Sequence, residues 1–285
     1  MNKTIHISSI YYQEDIQLVE RQILLIKQCY GSYLKLFSCI IRGNRKDLEA
    51  LCEKHNIEYR KEPSLYKHML LLRQSELEFF YEKKCDYLIQ IDPDTACFRF
   101  NNEFYDYAGH ELCYRHKEIQ RLLSKVQDLP SFSRFWLSFY RPGRQLPNRR
   151  PGVVSLHLPG SIHAVNGGWT MYSRRLIELI KDRFYKGEDR WEKSYWPDGE
   201  EMFLGWYIRQ VPQEISQTLK TNIGIRDEDR KIIGFCWDHY IPIIRKKHGP
   251  MAQIEIIHPL KLEGGKHFKE MMKEDEYFKP FLCYF

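Results

Sequence analysis

The stretch LIQIDPDTACF, residues 88–98, decides how this sequence is interpreted. It begins as a buried strand and continues into two carboxylates, one residue apart, with a proline between them. Alternate residues of an extended segment face the same way, so Asp92 and Asp94 are expected to converge. Hard cations such as Mg²⁺ and Mn²⁺ prefer such oxygen ligands. The stretch is therefore either a solvated turn at a strand end or a clamp for a metal ion.

Strand and helix signals alternate through the residues before this stretch. Three segments are typical of strands and three of helices, and a further strand, 85–92, leads into the acidic pair. The strand-like segments are 4–12, 34–44 and 57–62, and the helical segments are 14–30, 45–56 and 64–84. This alternation predicts an α/β fold with a mostly parallel sheet and helices on both faces. Ligands of such sheets bind at the carboxyl ends of the strands, where Asp92 and Asp94 lie.

The second half of the chain has a less regular pattern. Residues 101–160 are expected to mix short helices with a Pro/Arg-rich loop. A strand is predicted within 161–173, helices over 174–185 and 200–210, and a strand pair around 231–240 and 252–261, followed by a charged helix. No internal repeat or clear linker interrupts the sequence. We therefore expect one continuous domain over residues 1–285.

Composition is typical of a soluble globular protein, with 43% hydrophobic and 29% charged residues. No uncharged apolar run reaches the length of about 18 residues that a spanning helix needs. The N-terminus lacks the apolar core and cleavage site of a signal peptide, so we expect a cytoplasmic protein. The eight cysteines form no CxxC pair, which predicts buried thiols and disfavours a structural zinc site.

Charge is mildly positive, at +6 from 44 basic and 38 acidic residues. Basic clusters at 141–150 and 244–249 suit the phosphates of a ligand or peripheral contact with an anionic membrane. No recognition-helix, RNP-type or finger motif accompanies them, so a nucleic-acid partner is not expected.

Three acids, Asp198, Glu200 and Glu201, lie in WPDGEEMFLGWYIRQ (196–210), where a loop enters the predicted helix. Acids at a helix start favour the helix dipole, and Asp198 can serve as N-cap. A carboxylate held rigidly there can also act as a general base.

Two further segments allow both a structural and a functional interpretation. In NGGWTMYSRR (166–175), Gly167 and Gly168 form either a tight turn or a close backbone approach to a ligand, with Trp169 as a platform. In IEIIHPLK (254–261), His258 is either structural or a third metal ligand, and Lys261 can neutralise a diphosphate oxygen.

The order of these motifs, from DPDT through GGWTMYSRR and DGEEMFLG to IIHPLK, resembles the GT-A-type nucleotide-sugar glycosyltransferases. The resemblance runs from Thr4 to about Lys261. It implies a Rossmann-like nucleotide-binding mixed sheet with flanking helices. It also implies that Asp92 and Asp94 hold a divalent metal, usually Mn²⁺ or else Mg²⁺, together with the donor diphosphate, and that His258 completes the metal shell.

The same resemblance assigns roles to the other motifs. Gly167, Gly168 and Trp169 are expected to line the sugar and acceptor site, and Glu201 corresponds to the base of inverting members. The family usually has aspartate at that base position, so Glu200 and Asp198 stay rival bases. Acids that often hold the nucleoside after the second strand are replaced here by RGNRKD (42–47).

Donor contacts are expected from Tyr11, Arg73 and Lys261, with a surface cation as the alternative for Arg73. The implied organisation is a nucleotide-sugar half (1–100), an acceptor-binding and catalytic half (101–262) and a helical tail (263–285). The predicted activity is hexosyl or N-acetylhexosaminyl transfer from a nucleoside-diphosphate sugar, with UDP as the first choice. A glycan or lipid-linked acceptor is expected, and the aromatic and basic segment 133–152 falls where such enzymes vary to suit acceptors. Its aromatics, including Trp136 and Tyr140, either pack in the core, which is favoured, or stack on a sugar, and its arginines suit a lipid-linked diphosphate or the anionic groups of a polysaccharide.

Three alternatives stay open at this point. One is a retaining glycosyltransferase of the same fold. Another is a haloacid-dehalogenase-type phosphatase with Asp92 as nucleophile and Asp94 as acid/base, although that motif normally follows the first strand. The third is a catalytically inactive module that binds metal or nucleotide sugar. A sugar nucleotidyltransferase is rejected, because YYQED (11–15) stands where its Gly-rich loop should be.

Overall fold

The computed structural model describes most of the first 111 residues and shorter stretches of the remainder. The described residues are 3–63, 69–111, 113–115, 153–155, 165–185, 211–224, 235–236, 246, 255–258, 270, 273–274, 276 and 279. The chain forms two compact units, each assembled from segments that are distant in sequence. Unit 1 contains Met1–Leu65, Phe80–Phe104 and Glu228–Phe285, and unit 2 contains Tyr66–Phe79 and Tyr105–Asp227.

Unit 1 is built around four parallel strands in the spatial order β4, β1, β2, β3. The strands are β1 (Ile5–Tyr11), β2 (Leu34–Arg42), β3 (Glu58–Glu62) and β4 (Tyr87–Ile91). The helices are α1 (Ile16–Tyr30) and α2 (Lys46–Lys54), with a short 3-10 turn, Gly31–Tyr33, after α1. Helix α3 (Met69–Lys83) begins in unit 2 and enters unit 1 at Phe80. Strand β1 has a neighbour on each side and all seven of its residues are buried, as in the interior of a parallel sheet.

Helix α1 starts at a capped N-terminus and buries one face. The Asp15 carboxylate accepts a hydrogen bond from the Gln17 backbone N–H at 2.7 Å, which satisfies a donor that the helix itself cannot. Val19, Ile23 and Ile26 are fully buried at helical spacing. Gln22 lies on the same face and is a buried polar residue.

The outer edge of these four strands is β3, which carries a row of charged side chains. Ion pairs bind them to neighbouring elements: Arg60 to Glu82, Lys61 to Glu49, and Glu58 to Lys83. A charged edge strand discourages pairing with a second chain.

The interior of unit 1 contains a few polar groups. The imidazole of His6 shares a hydrogen bond with the Ser38 hydroxyl at 2.6 Å. Burial, and to a lesser extent the charge of Lys83, lowers the pKa of His6 to about 3, so the ring is neutral near pH 7. The predicted burial of thiols is confirmed for Cys39, Cys52, Cys85 and Cys97.

A small second sheet in unit 1 joins one segment to two others that lie about 140 and 160 residues later in the sequence. Its strands are β5 (Ala96–Cys97), β11 (Phe235–Cys236) and β12 (Ile256–Ile257). Strand β12 pairs antiparallel with β5 and parallel with β11. The predicted strand pair near residues 231–261 is therefore confirmed.

The described part of unit 2 contains a three-stranded group, a strand pair and two helices, in addition to most of α3. Its strands are β6 (Tyr107–Glu111), β7 (Cys113–Arg115), β8 (Val153–Ser155), β9 (Val165–Ser173) and β10 (Thr221–Gly224), and its helices are α4 (Arg174–Tyr185) and α5 (Gln213–Ser216). Strand β6 pairs antiparallel with β9 and parallel with β10, and β7 pairs antiparallel with β8.

Asp106 connects three elements of unit 2. One carboxylate oxygen accepts from the Ser173 hydroxyl at 2.6 Å, and the other accepts from the Lys220 backbone N–H at 2.9 Å. The Ser173 hydroxyl in turn accepts from the Leu176 N–H at 3.1 Å and so caps α4. The starts of β6, α4 and β10 are thereby held together.

These elements confirm the predicted α/β class with mixed strand directions and flanking helices. The expectation of short helices within 101–160 is wrong for the described part, where β6, β7 and β8 are strands. The sequence of β6, YAGHE, has no regular alternation of apolar and polar residues and therefore carries little periodic signal. The predicted helix over 200–210 lies outside the described residues. Among the residues that are described, no helix has the length and apolar character needed to cross a membrane.

Candidate metal centre

The residues Asp92 to Thr95 form a β-turn directly after β4. The Thr95 N–H donates to the Asp92 carbonyl at 3.1 Å, which is the first-to-fourth hydrogen bond of such a turn. Pro93 occupies the second position, where its fixed φ favours the turn. The expected extended conformation is therefore wrong, because β4 already ends at Ile91. The turn, and not strand alternation, brings the two carboxylates to one side.

His258 follows β12 immediately and returns to this turn from the far end of the chain. Pairing of β12 with β5, the strand just after the turn, aligns the two segments. The Phe98 N–H extends this pairing by donating to the Glu255 carbonyl at 2.7 Å. The imidazole is thus positioned by backbone hydrogen bonds that join distant parts of the sequence.

The imidazole of His258 lies close to both carboxylates. Its Nδ1 is 3.2 Å from Asp94 Oδ1, and its Nε2 is 4.0 Å from Asp92 Oδ2. The Thr95 hydroxyl is 3.2 Å from the same Nδ1. One ligand atom from each of Asp92, Asp94 and His258 lies within 4.8 Å of the other two. The structure therefore brings together the three residues that the sequence suggested as metal ligands.

The exposure and chemistry of this group fit a divalent cation. The side chains of Asp92 and Asp94 are 31% and 24% exposed, whereas that of His258 is 9% exposed. Carboxylate oxygens suit Mg²⁺ or Mn²⁺, and an imidazole nitrogen favours a transition-metal ion over Mg²⁺. A group that combines both donor types can hold Mn²⁺ and leave part of its shell open to solvent and ligand.

The buried side chain of Gln22 contacts the turn from inside the protein, and the buried Tyr11 in turn contacts Gln22. The Gln22 Nε2 donates to the carbonyls of Asp92, at 2.6 Å, and Thr95, at 2.9 Å. Its Oε1 accepts from the Tyr11 hydroxyl at 2.9 Å. Sequence analysis did not identify Gln22. The available signal was an amide on the apolar face of α1, a position where a polar group needs buried partners.

Glu14 and Arg45 form a second charged group, after the carboxyl ends of β1 and β2. The Arg45 guanidinium donates to the carbonyls of Tyr12, at 2.7 Å, and Glu14, at 3.2 Å, and pairs with Asp47 at 2.7 Å. The Glu14 carboxylate accepts from the Tyr12 N–H. Burial raises the pKa of Glu14, hydrogen bonds and Arg45 oppose the rise, and the charge of Asp94 adds to it.

The remaining predicted donor-binding residues are in different surroundings. Tyr11 is fully buried at the end of β1. Arg73 lies on α3 within unit 2, is 2% exposed, and pairs with Glu76 at 3.0 Å. Its position differs from the exposed surface cation that was the alternative for this residue.

The glycine-aromatic segment lies within β9 at an irregularity of the strand pairing. Gly109 of β6 pairs with Thr170, but the next residue, His110, pairs with Asn166. Residues 167–169 therefore fall within the register shift, an arrangement in which glycine tolerates unusual backbone geometry. Gly168 and Trp169 are buried, with Trp169 at 8% exposure.

Several predicted site residues lie outside the described part of the chain. They are the candidate bases Asp198, Glu200 and Glu201, the cation Lys261, and the segment 133–152 proposed to contact an acceptor.

Comparison with known proteins gives a limited result. No protein-family model and no curated protein sequence matches this chain. A match among solved structures is the galactosyltransferase LgtC in complex with donor and acceptor sugar analogues. It has a TM-score of 0.46 and 9% sequence identity, over 97% of this chain and 100% of that chain. Similarity at this level does not assign a fold family.

Proposed function

We propose that this protein is a metal-dependent glycosyltransferase of GT-A type that uses a nucleoside-diphosphate sugar. The observation that carries the proposal is the convergence of Asp92, Asp94 and His258 at the carboxyl end of a parallel strand. Ligands of α/β sheets bind at this edge. The order of sequence motifs, which resembles the Asp-x-Asp glycosyltransferases, supports the choice of substrate class.

A divalent ion held by these three residues would supply positive charge against the diphosphate of the donor. The partly exposed carboxylates of Asp92 and Asp94 and the buried imidazole of His258 would be its ligands. Cationic side chains add to such stabilisation of a leaving diphosphate. Lys261 and Arg73 are proposed for that role, and Tyr11 is proposed to support the donor site.

Glu201 is proposed as the general base that accepts a proton from the acceptor hydroxyl as it attacks the anomeric carbon. Glu200 and Asp198 are its rivals. Glu201→Gln should abolish transfer and leave donor binding nearly intact, whereas equal loss of both would indicate a structural role. Inversion is the proposed outcome, and the anomeric configuration of the product distinguishes it from retention.

The acceptor is proposed to be a glycan or lipid-linked hydroxyl, placed beside Gly167, Gly168 and Trp169. UDP is the proposed nucleotide, with a hexosyl or N-acetylhexosaminyl group as the transferred sugar. We propose a cytoplasmic enzyme for cell-surface polysaccharide synthesis, with its basic clusters in peripheral contact with an anionic membrane.

The test is the thermal midpoint of the wild type and of Asp94→Asn with UDP and Mn²⁺, separately and together. A ligand that binds only the folded state stabilises it by about 2.7 kcal/mol at a hundredfold excess over Kd. We expect a shift in the wild type that needs both ligands and is absent in the variant. GDP, CMP and dTDP are run alongside UDP to identify the nucleotide that binds.

If no nucleotide shifts the thermal midpoint in the presence of Mn²⁺, the glycosyltransferase proposal is contradicted. Hydrolysis of a phosphate monoester that is lost in Asp92→Asn would then favour the phosphatase alternative. Retained shifts without sugar transfer to any acceptor or to water would instead favour a binding module.

A further inference from the structure

The side chain of Gln22 makes three hydrogen bonds, and two of them reach backbone carbonyls of the turn Asp92–Thr95. We propose that Gln22 is a positioning residue that holds the turn Asp92–Thr95 in the shape that the cation requires. Its Nε2 is 2.6 Å from the Asp92 carbonyl and 2.9 Å from the Thr95 carbonyl, the two ends of the turn. One amide group thus binds both ends of the turn at once.

The orientation of this amide is set by Tyr11. The tyrosine hydroxyl donates to Gln22 Oε1 at 2.9 Å, which leaves the NH₂ group directed at the two carbonyls. Burial raises the pKa of Tyr11 well above its usual value, so the hydroxyl keeps its proton and remains a donor. Gln22 is itself 2% exposed, and therefore water competes little for these bonds.

The turn needs such support because it carries two carboxylates that repel each other. The Asp92 carbonyl already accepts the Thr95 N–H that closes the turn, and Gln22 adds a second donor to the same oxygen. Groups that orient metal ligands in this way typically change metal affinity 10- to 100-fold when they are removed. The inference rests on the proposed metal site, but the support of the turn can be measured without metal.

The experiment compares full-length Gln22→Met and Tyr11→Phe with wild type and with Ser38→Ala. Methionine keeps the volume of Gln22 and removes all three hydrogen bonds, whereas Tyr11→Phe removes a single oxygen atom. Ser38→Ala is the matched control, because it removes a buried hydrogen bond to His6 in the same sheet without contact to the turn. Two quantities are measured: hydrogen exchange of the peptide covering 88–98 in metal-free protein, and the Mn²⁺ Kd from the free-ion electron paramagnetic resonance signal.

We expect exchange in the 88–98 peptide to be at least about fivefold faster in Gln22→Met, with a smaller increase in Tyr11→Phe and none in Ser38→Ala. The Mn²⁺ Kd should rise about tenfold in Gln22→Met and about threefold in Tyr11→Phe, and stay within twofold of wild type in the control. If Gln22→Met does not fold, Tyr11→Phe provides the same test with a milder change.

The possible failures are distinguishable. Wild-type protein that binds no Mn²⁺ overturns the proposed metal site, yet faster exchange in Gln22→Met would still show that Gln22 supports the turn. Wild-type Mn²⁺ affinity in both variants, together with its loss in Asp94→Asn, would overturn the role of Gln22 and leave the metal site standing. Equal weakening by Ser38→Ala would reduce the effect to general stability and overturn the inference.

Discussion

Strands β1 and β4 are parallel neighbours in unit 1, yet the charged groups beyond their carboxyl ends differ in how they are balanced. After β1, the Glu14 segment is held by the Arg45 guanidinium, which binds two backbone carbonyls. After β4, Asp92 and Asp94 converge with the imidazole of His258. The first group carries its own cation as part of the fold, whereas the second offers ligand atoms to a cation from outside.

The difference shows how one sheet edge can combine a structural and a binding role. A guanidinium fixed by several hydrogen bonds stabilises a loop at all times. In the proposed metal site, two carboxylates held near each other cost free energy until a cation binds, and this cost would make the site responsive to metal. Charge removal should therefore have opposite effects on folding at the two places.

The largest effect is expected for the double variant Asp92→Asn with Asp94→Asn. Its Mn²⁺ affinity should fall at least about 100-fold, because two of the three ligands lose their charge. In metal-free buffer, its free energy of unfolding in urea should equal or exceed that of wild type, since a repulsive pair is gone. A metal-free loss of more than about 1 kcal/mol would show that the carboxylates are structural, and the comparison would fail.

Arg45→Gln should have the opposite effects: it should lower the free energy of unfolding and leave Mn²⁺ affinity nearly unchanged. Loss of charge-assisted hydrogen bonds to the carbonyls of Tyr12 and Glu14 is expected to cost about 2 kcal/mol of unfolding free energy. Mn²⁺ affinity should stay within twofold of wild type, as measured by the same titration. Arg45→Lys serves as the control, because it keeps the charge and should recover part of the stability. An Mn²⁺ Kd that rises tenfold would show that the two groups are one site.

His258→Asn tests the buried side of the metal group. We expect Mn²⁺ affinity to fall about tenfold, or roughly 1.4 kcal/mol, because one ligand of three is removed while the charged ligands stay. The titration is repeated with Mg²⁺, whose affinity should change less if the imidazole is what favours the transition-metal ion. Equal losses for the two ions would remove the argument for Mn²⁺.

The smallest effect is expected for Glu14→Gln. Because burial raises the pKa of Glu14, this group contributes stability below its unfolded-state pKa, and that contribution is lost as pH rises through its folded-state pKa. Wild type should therefore lose stability relative to the variant as pH rises above the ordinary pKa of a glutamate, about 4.3, and the loss should be smaller than the effects of the other variants. Urea unfolding of both proteins between pH 4 and 8 checks this. A variant that loses stability at every pH would show that the carboxylate itself is required.

Much of unit 1 was predictable because its signals are local. The buried face of α1 repeats at helical spacing, and β1, β2 and β4 are strand-like segments rich in Ile, Leu and aromatic residues, with helices between them. The predicted boundaries differ from the observed ones mainly at caps, as at Asp15, which is the N-cap and not the first turn of α1. Burial of a strand on both faces leaves a signal that short windows can detect.

The rest depends on contacts that no local pattern records. Strand β6 was missed because its sequence, YAGHE, has neither strand-like alternation nor a run of β-branched residues, and only its pairing with 165–173 and 221–224 identifies it as a strand. The sequence singled out Asp92, Asp94 and His258 one by one and offered a turn at Pro93 as one of two interpretations. The convergence of the three side chains and the hydrogen bonds from Gln22 were not predictable, since both depend on tertiary contacts. In the sequence, Gln22 looks like an ordinary helix residue. Its hydrogen bonds become evident only in the folded structure, where the turn that follows β4 lies next to it.

The central place of β1 has a consequence during synthesis of the chain. This strand is made before either neighbour, and its partner β4 begins about 75 residues later. The chain is synthesised at about 5–20 residues per second, so this interval lasts roughly 4–15 s. During that time β1, whose residues are all buried in the folded protein, has an edge without its partner strand β4. Early pairing with β2, which follows within about 25 residues, shortens the time when both edges are exposed. We therefore expect pairing within the β1–α1–β2 unit to protect β1 in the nascent chain until β4 and the turn Asp92–Thr95 have been synthesised.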